Sequence, residues 1–348
     1  MGFKIKKIRA EGEIASIELL RGIASLMVCF FHLSWGNESF LPSTSLVKVA
    51  GTWGWSGVEI FFVISGFVIP YSMFKKSYAV SEFGVFLKKR LIRIEPPYLI
   101  SIVLVLALNF LSSLVPFYKG LPFSIDWGNL FGHIAYTNVF TNNAWLNPVY
   151  WSLAIELQYY LLIAFLFFAL VSNKIIYRLL FFILFAASTF LPLPSTRFIF
   201  EYAGYFLAGI LLFQWVCKII GDREFWICLL SLAGLVWFKH GIGLMLLMMV
   251  TLLVITYVNQ IPAIFRFLGV ISYSLYLIHV PIGGKIINLS ASLTQNIILR
   301  NAIVLLTMGI CLFAAYLFYR YVENIFKKIA GDIKYSKQPK VKNAVVTK

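Results

Sequence analysis

The chain has 348 residues, of which 60% are hydrophobic and only 13% are charged, and its mean hydropathy is +0.85. An ordinary soluble domain is about half apolar and about a quarter charged, so this composition excludes a single soluble core. The net charge of +16 lies mostly in short loops between apolar segments and in the Lys-rich tail. In membrane proteins that pattern sets orientation, so we expect no nucleic-acid partner.

Long apolar runs predict an all-α, polytopic membrane protein. The runs lack the alternation of barrel strands, and lipid accepts only helices or closed barrels. Ten windows are long enough to span a bilayer, the seventh being short: Ile17–Trp35, Gly57–Met73, Tyr98–Pro116, Tyr150–Val171, Ile175–Leu191, Phe198–Cys217, Phe225–Phe238, Ile242–Val258, Phe267–Ile287 and Ile297–Tyr319. An even number places both termini on one side, and the basic loop Lys75–Arg93 predicts that this side is the cytoplasm.

These windows form one transmembrane domain over residues 15–322, and we expect residues 323–348 to be a disordered, basic cytoplasmic tail. The two largest polar loops are Lys75–Pro97, on the cytoplasmic side, and Phe117–Val149, on the outer side. The four cysteines lie inside predicted spans without metal-ligand spacing, so we expect no metal site.

The first window carries three ionisable residues, Glu18, Arg21 and His32. Arg21 and His32 share one helical face about three turns, or about 16 Å, apart. Either residue alone is more simply an interfacial anchor or a hydrogen-bonded packing group. Together, with Glu18 one turn before Arg21, they favour function, although Glu18 is also a natural partner for Arg21.

The second window holds Glu59, which fits either the membrane interface or a site, and a Ser65-Gly66 pair that predicts close helix packing. In the basic loop, Arg90 and Arg93 lie on one side of a helical turn, immediately before a helix start marked by Pro96-Pro97. Arginine forks match phosphate geometry, but contact with anionic lipid head groups explains the charge equally well.

Two later windows also carry polar groups. In the fourth, Trp151 and Ser152 precede Glu156, a buried acid that is costly unless it is paired or faces a cavity. In the ninth, Ser272, Tyr276 and His279 form a stripe that we interpret as interhelical hydrogen bonding rather than chemistry.

Taken together, these segments resemble the integral-membrane acyltransferase 3 family, which includes bacterial surface-glycan O-acetyltransferases. The resemblance covers about Ala15 to Val322. It rests on the order of these strings: Arg21 with His32, Phe61-Phe62-Val63-Ile64-Ser65-Gly66-Phe67, Arg90 with Arg93 before Pro96-Pro97-Tyr98, Trp151-Ser152-Leu153 with Glu156, and Ser272-Tyr273-Ser274-Leu275-Tyr276-Leu277-Ile278-His279. Glu59 stands where the family more often has aspartate, and Glu95 where it often has an aromatic residue.

The resemblance implies acetyl-CoA, or another acyl-CoA, as a co-substrate rather than a bound cofactor. Arg21, Arg90 and Arg93 would hold its phosphates. His32 would be the general base, oriented by Glu156 or Glu59, and Ser152 or Trp151 would stabilise the tetrahedral intermediate. A covalent acyl-His32 intermediate is the competing mechanism. Glu18, Glu59, Trp151, Ser152, Tyr276 and His279 are the expected site-lining residues.

The implied acceptor is a lipid-linked or nascent glycan at the inner (plasma) membrane, such as the O-antigen of lipopolysaccharide, capsule or exopolysaccharide. Membrane lipids are the other partners, and we expect any SGNH-type hydrolase needed for transfer to be a separate chain. The rival function is a transporter or flippase with an intramembrane ion path. Transporters usually show internal repeats and broken helices in matching halves, and the sequence shows neither.

Overall fold

We describe the fold from a computed structural model, which covers residues 15–115, 122–141, 143–193, 195 and 197–335. Within these ranges the regular structure is entirely helical. The α-helices are α1 (Ala15–Trp35), α2 (Leu46–Gly51), α3 (Gly57–Lys75), α4 (Phe83–Ser113), α5 (Trp127–Ile134), α6 (Tyr150–Leu170), α7 (Ile175–Ala187), α8 (Ala203–Val216), α9 (Asp222–His240), α10 (Ile242–Tyr257), α11 (Ala263–Leu293), α12 (Ile297–Phe318) and α13 (Asn324–Asp332).

Seven helical segments of the described chain are long and apolar enough to cross a membrane: Ala15–Trp35, Leu46–Lys75, Val80–Ser113, Tyr150–Leu170, Ile199–Val216, Ala263–Leu293 and Ile297–Asp332. Helices α7 and α10 are apolar but shorter, and α9 carries charged residues in both its first and last turns. The prediction of an all-helical membrane protein is confirmed. The number of ten crossings and the side of the termini stay predictions.

The centre of the bundle is formed by α1, α3, α8 and α11, which approach one another through glycines. Every residue of α8 from Ala203 to Gln214 is buried. A Cβ atom on Gly66 of α3 would overlap the Phe206 carbonyl of α8, and one on Gly22 of α1 would lie 2.9 Å from Leu268 Cβ of α11. The predicted close packing at Gly66 is therefore confirmed.

Helix α4 differs from its prediction. The sequence placed a helix start at Pro96-Pro97, but α4 begins at Phe83 and runs through both prolines. Proline removes a backbone donor, which membrane helices tolerate when other groups supply hydrogen bonds. The Tyr273 hydroxyl of α11 donates to the Ile94 carbonyl next to the prolines, at 2.9 Å, which ties α4 to α11 at this point. As a result Arg90 and Arg93 lie on a helix of the bundle rather than in a loop.

The segment between α1 and α2 is held by two buried cations. The Lys48 ammonium donates to the carbonyls of Glu38 and Leu41, both at 2.8 Å. The Arg300 guanidinium donates to the Phe40 carbonyl at 2.9 Å. Both side chains are buried, so their charges neutralise backbone dipoles instead of facing solvent.

The start of the predicted disordered tail is helical. A π-helix over Tyr319–Glu323 leads into the nine-residue α13, which packs against α4. The Lys89 ammonium of α4 donates to the Ile333 carbonyl at 2.9 Å, which satisfies backbone just beyond the end of α13. The expectation of disorder is thus wrong for residues 324–332, and residues 336–348 lie outside the described part of the chain.

Candidate active site

A cavity opens between α1, α3, α4, α6, α11 and the π-helix. Its empty volume is about 960 Å³, including the part open to solvent. This falls within the range of about 300–1,000 Å³ that is common for small-molecule sites. The polar side chains on its wall are those of Arg21, Ser65, Arg90, Arg93, Ser152, Glu156, Tyr160, Tyr273, Tyr276 and Glu323.

Three arginines face this cavity. Arg21 comes from α1, whereas Arg90 and Arg93 are three residues apart on α4. The Arg90 guanidinium packs over the Tyr160 ring at 5.5 Å. None of the three belongs to an ion pair among the described residues. The predicted grouping of these arginines is present in the structure, and their unpaired forks suit a multiply charged anion such as a phosphate.

Two acidic side chains share the cavity but are held by neutral donors. Glu156 Oε1 accepts the Tyr160 hydroxyl at 2.5 Å and faces the Ser65 hydroxyl at 3.5 Å. Glu323 Oε2 accepts the backbone N–H and the hydroxyl of Ser274, at 3.2 and 2.5 Å. The carboxylates are therefore fixed without occupying the arginine forks.

A second cavity, of about 700 Å³, adjoins the first. Arg21, Arg93 and Glu323 line both cavities, and Glu18 and Lys327 line the second. Within the described residues, Glu18 forms an ion pair with Arg266 of α11, at 3.6 Å, in place of the pair with Arg21 that the spacing suggested. Tertiary contact between α1 and α11 supplies a partner that the local sequence could not indicate.

His32 lies outside the arginine cavity and contacts a second histidine. Its Nδ1 is 2.9 Å from the Val28 carbonyl and 3.2 Å from Nε2 of His279. Nδ1 of His279 is 2.8 Å from the Leu275 carbonyl. His279 is fully buried, whereas His32 is partly exposed. The structure therefore brings together two histidines 247 residues apart in sequence.

The acids expected to orient His32 are placed elsewhere. Glu156 bonds to Tyr160 and Ser65, and Glu59 Oε2 is buried with no hydrogen-bond partner. Neither makes a hydrogen bond to His32 within the described residues, and the role expected for them stays a prediction. The polar contacts of the His32 ring are with the Val28 carbonyl and with His279.

Tyr276 lies next to both the cavity and the histidine pair. Its hydroxyl lies 2.6 Å from Ser152 Oγ and donates to the Val149 carbonyl at 3.2 Å. The residue lines the cavity, and its ring lies 6.2 Å from the His279 ring, between centroids. The interpretation of Tyr276 and His279 as interhelical contacts thus fits, but both also border the site.

Trp151 is placed differently from Ser152. The indole packs against Tyr202 at 5.5 Å and Phe62 at 6.4 Å, between ring centroids, and does not reach the cavity wall. Ser152 does line the cavity. Of the two expected donors, only Ser152 is positioned beside the cavity.

Sequence reasoning missed four polar side chains of the cavity. Tyr160 lies four residues after Glu156, so helical spacing alone would have suggested it. Ser65 was interpreted as packing, although its hydroxyl faces Glu156. Tyr273 and Glu323 offered little signal, because each acquires its place through contacts between distant segments.

The chain is similar in sequence to known proteins. A model of the acyltransferase 3 family, described as an acyltransferase domain, matches residues 14–320. The O-acetyltransferase OatA of Staphylococcus aureus is 28% identical over 170 residues, in strain NCTC 8325 / PS 47 and in strain COL alike. That match covers 46% of this chain and 25% of each relative.

No solved structure matches the chain. The family model, by contrast, extends from the start of α1 to the π-helix and includes both histidines and all three arginines of the cavity. The chain is a membrane protein that belongs to the acyltransferase 3 family.

Proposed function

We propose that this protein is a membrane O-acyltransferase that moves an acetyl or similar acyl group from acyl-CoA to a sugar hydroxyl of a surface polysaccharide. The acceptor class is O-antigen, capsule or exopolysaccharide, presented as a lipid-linked or nascent glycan at the inner membrane. Relatives named O-acetyltransferase support the acyl group, although they share only a quarter of their length with this chain.

One observation carries the donor side of the proposal. Arg21, Arg90 and Arg93 face one cavity, and none has an ion pair within the described residues. The three guanidinium groups outnumber the two carboxylates, Glu156 and Glu323, that share the cavity, so a bound anion would be stabilised there. The phosphates of acyl-CoA have the required charge, and the cavity leads from the arginines towards Ser152 and Tyr276.

The acceptor side rests on the histidine pair. His32 is the general base that takes the proton of the acceptor hydroxyl as its oxygen attacks the thioester carbonyl. Ser152, on the cavity wall, supports the oxyanion of the tetrahedral intermediate. The C–S bond then breaks, and CoA leaves as the thiol with the proton that His32 returns. The thioester reaches His32 from the cavity by way of Tyr276, which lines the cavity and whose ring lies 6.2 Å from the His279 ring, between centroids. An acyl-His32 intermediate uses the same contacts.

The first test measures acylation in cells that lack the gene and carry a variant. We expect His32→Ala to abolish acylation of the surface glycan, seen by mass spectrometry as the loss of one acyl mass, while the protein still inserts in the membrane. Normal acylation by this variant would contradict the role of His32. If cells that lack the protein instead fail to transport an unmodified glycan, the flippase alternative is favoured.

The second test addresses the donor. Arg90→Ala combined with Arg93→Ala is expected to weaken the apparent affinity for acetyl-CoA by roughly tenfold or more, because two charge-assisted contacts are lost. Arg223→Ala is the matched control, since Arg223 is an exposed arginine that lines neither cavity. Unchanged affinity in the double variant would assign these arginines to lipid head groups instead.

A further inference from the structure

The hydrogen bonds around the two histidines determine where their protons lie. Nδ1 of His279 faces the Leu275 carbonyl, which only accepts, so this nitrogen carries the proton and donates. Nε2 of His279 therefore has a free lone pair. It faces Nδ1 of His32, 3.2 Å away.

The position of the proton on the His32 ring is set by its neighbours in the same way. Its Nδ1 faces two acceptors, the Val28 carbonyl at 2.9 Å and Nε2 of His279 at 3.2 Å. If Nδ1 had no proton, three lone pairs would point at one another in a buried site, which is repulsive. Nδ1 of His32 thus carries the proton, shared between both acceptors, and Nε2 is left as the basic nitrogen.

From this geometry we infer that His279 is a positioning residue, whose Nε2 lone pair, together with the Val28 carbonyl, holds the His32 ring in the orientation and tautomer that leave Nε2 as the base. When Nε2 of His32 takes the acceptor's proton, the imidazolium keeps its Nδ1–H bond to His279 and to the Val28 carbonyl. His279 stays neutral, because its Nδ1 keeps its own proton, donated to the Leu275 carbonyl, and its Nε2 only accepts. The inference rests on the proposed function of His32.

A neutral histidine suits this position because of its surroundings. His279 is fully buried, and no acid hydrogen-bonds to either ring among the described residues. A carboxylate there would bring an uncompensated charge into the bundle whenever His32 is neutral, and burial penalises such a charge. A neutral acceptor fixes the tautomer without that charge.

Two substitutions at His279 separate positioning from structure. The amide of His279→Asn reaches about as far as Nδ1 and can keep the Leu275 contact, but it loses the acceptor that faces His32. The amide of His279→Gln reaches about as far as Nε2 and can offer its oxygen to His32. If His279 acts only as a structural residue through the Leu275 carbonyl, His279→Asn should be tolerated and His279→Gln should not. If His279 positions His32, His279→Gln should be tolerated and His279→Asn should not.

We expect His279→Asn to lower kcat by roughly 10 to 100-fold, with the KM for acetyl-CoA little changed. His279→Gln should stay within roughly threefold of the wild-type kcat, because an acceptor remains in place. Equal loss in both variants, or a better-tolerated Asn, overturns the inference. If His32→Ala is itself active, the proposed function has failed, so the two failures are distinguishable.

A measurement without turnover keeps the inference testable if a variant misfolds. The chain has only four histidines, so ¹⁵N-histidine spectra of the full-length protein in nanodiscs are tractable, and His32→Ala identifies the His32 signals. At a pH where the rings are neutral, we expect His32 of the wild-type protein to have a protonated Nδ1 and an unprotonated Nε2. A protonated Nε2 on His32 would overturn the inference.

Discussion

The Tyr276 side chain lies where the arginine cavity approaches the histidine pair. Its hydroxyl is fixed by Ser152 and by the Val149 carbonyl, and the residue lines the cavity. Neither His32 nor His279 is among the residues that line the cavity with the three arginines. A cation close to His32 would oppose its protonation, so this placement suits the proposed role of His32 as a base.

At the same scale, His133 fixes the structure around α5. Its Nδ1 donates to the Asn129 carbonyl at 2.9 Å, and its Nε2 accepts the Leu146 N–H at 3.0 Å, which requires a neutral ring. Tyr98 of α4 donates to the His133 carbonyl at 3.1 Å. Burial lowers the pKa of His133 below its ordinary value of 6.5.

The stability of the segment around α5 should depend on pH. The segment is closed when the hydrogen bonds of His133 are intact and open when they are broken. Above about pH 6.5 the ring is neutral in both states, so pH does not change the balance between them. Below that pH the opened segment binds a proton that the closed one does not. The closed segment should therefore lose up to about 1.4 kcal/mol of stability per pH unit as the pH falls towards the lowered pKa.

Hydrogen exchange of the backbone amides of α5 and Leu146, corrected for intrinsic exchange rates, measures the stability of the closed segment between pH 7.5 and 5.5. His133→Gln is the control, because glutamine does not titrate in this range. Protection that is independent of pH in the wild-type protein, or that declines equally in the variant, would contradict the prediction.

At the scale of elements, the contact between α3 and α8 depends on glycine. A Cβ atom on Gly209 would overlap the Val63 carbonyl and lie 2.6 Å from the Phe67 nitrogen. Both are backbone atoms, which cannot turn aside as a side chain can. Helix α3 supplies Ser65 to the cavity, so its spacing from α8 also sets one wall of the site.

We expect Gly209→Ala to destabilise the protein by about 1–3 kcal/mol, the usual cost of overpacking, and to lower the midpoint of thermal unfolding in detergent. Gly234→Ala in α9 is the matched control, because nothing lies within 4 Å of its Cβ position. Alanine there should raise helix stability by about 1 kcal/mol. A Gly209→Ala protein as stable as the control would show that α3 and α8 can separate without cost.

The elements also show what sequence patterns can and cannot predict. Apolar windows located the membrane helices well, because hydrophobicity and helical hydrogen bonding are local properties. The predicted start of α4 was wrong because Pro96 and Pro97, which leave the carbonyls of Ile92 and Arg93 without helical donors, do not end the helix. Local rules treat proline as a boundary, whereas α4 packs against α11 and α13 only in the folded bundle.

At the scale of the whole molecule, the same limit applies to the site. The sequence predicted that Arg21, Arg90 and Arg93 act together, since resemblance to a family carries information about distant residues. It did not predict that His32 pairs with His279, or that Glu323 joins the cavity, because those contacts depend on how α1, α11 and the π-helix pack. Spacing within one helix cannot supply them.

The charge distribution of the whole molecule predicts its orientation. The end of the bundle that holds Arg90 and Arg93 also carries Lys75, Lys76, Lys88 and Lys89. The loops assigned to the opposite side hold few basic residues, and two of these, Lys48 and Arg300, are buried on backbone carbonyls. By the positive-inside rule, we predict that the arginine end and both termini face the cytoplasm, the side from which the proposed acyl-CoA donor would enter.

Cysteine labelling of intact cells tests this orientation. Ser81 lies at the arginine end and Asn143 in the segment before α6, and both are exposed. Cys29 and Cys311 are buried, so a background with Cys217 and Cys228 replaced by serine should label weakly. A membrane-impermeant maleimide is expected to label Asn143→Cys in intact cells and Ser81→Cys only after permeabilisation. The reverse pattern would place the arginine cavity outside and remove acyl-CoA as its donor.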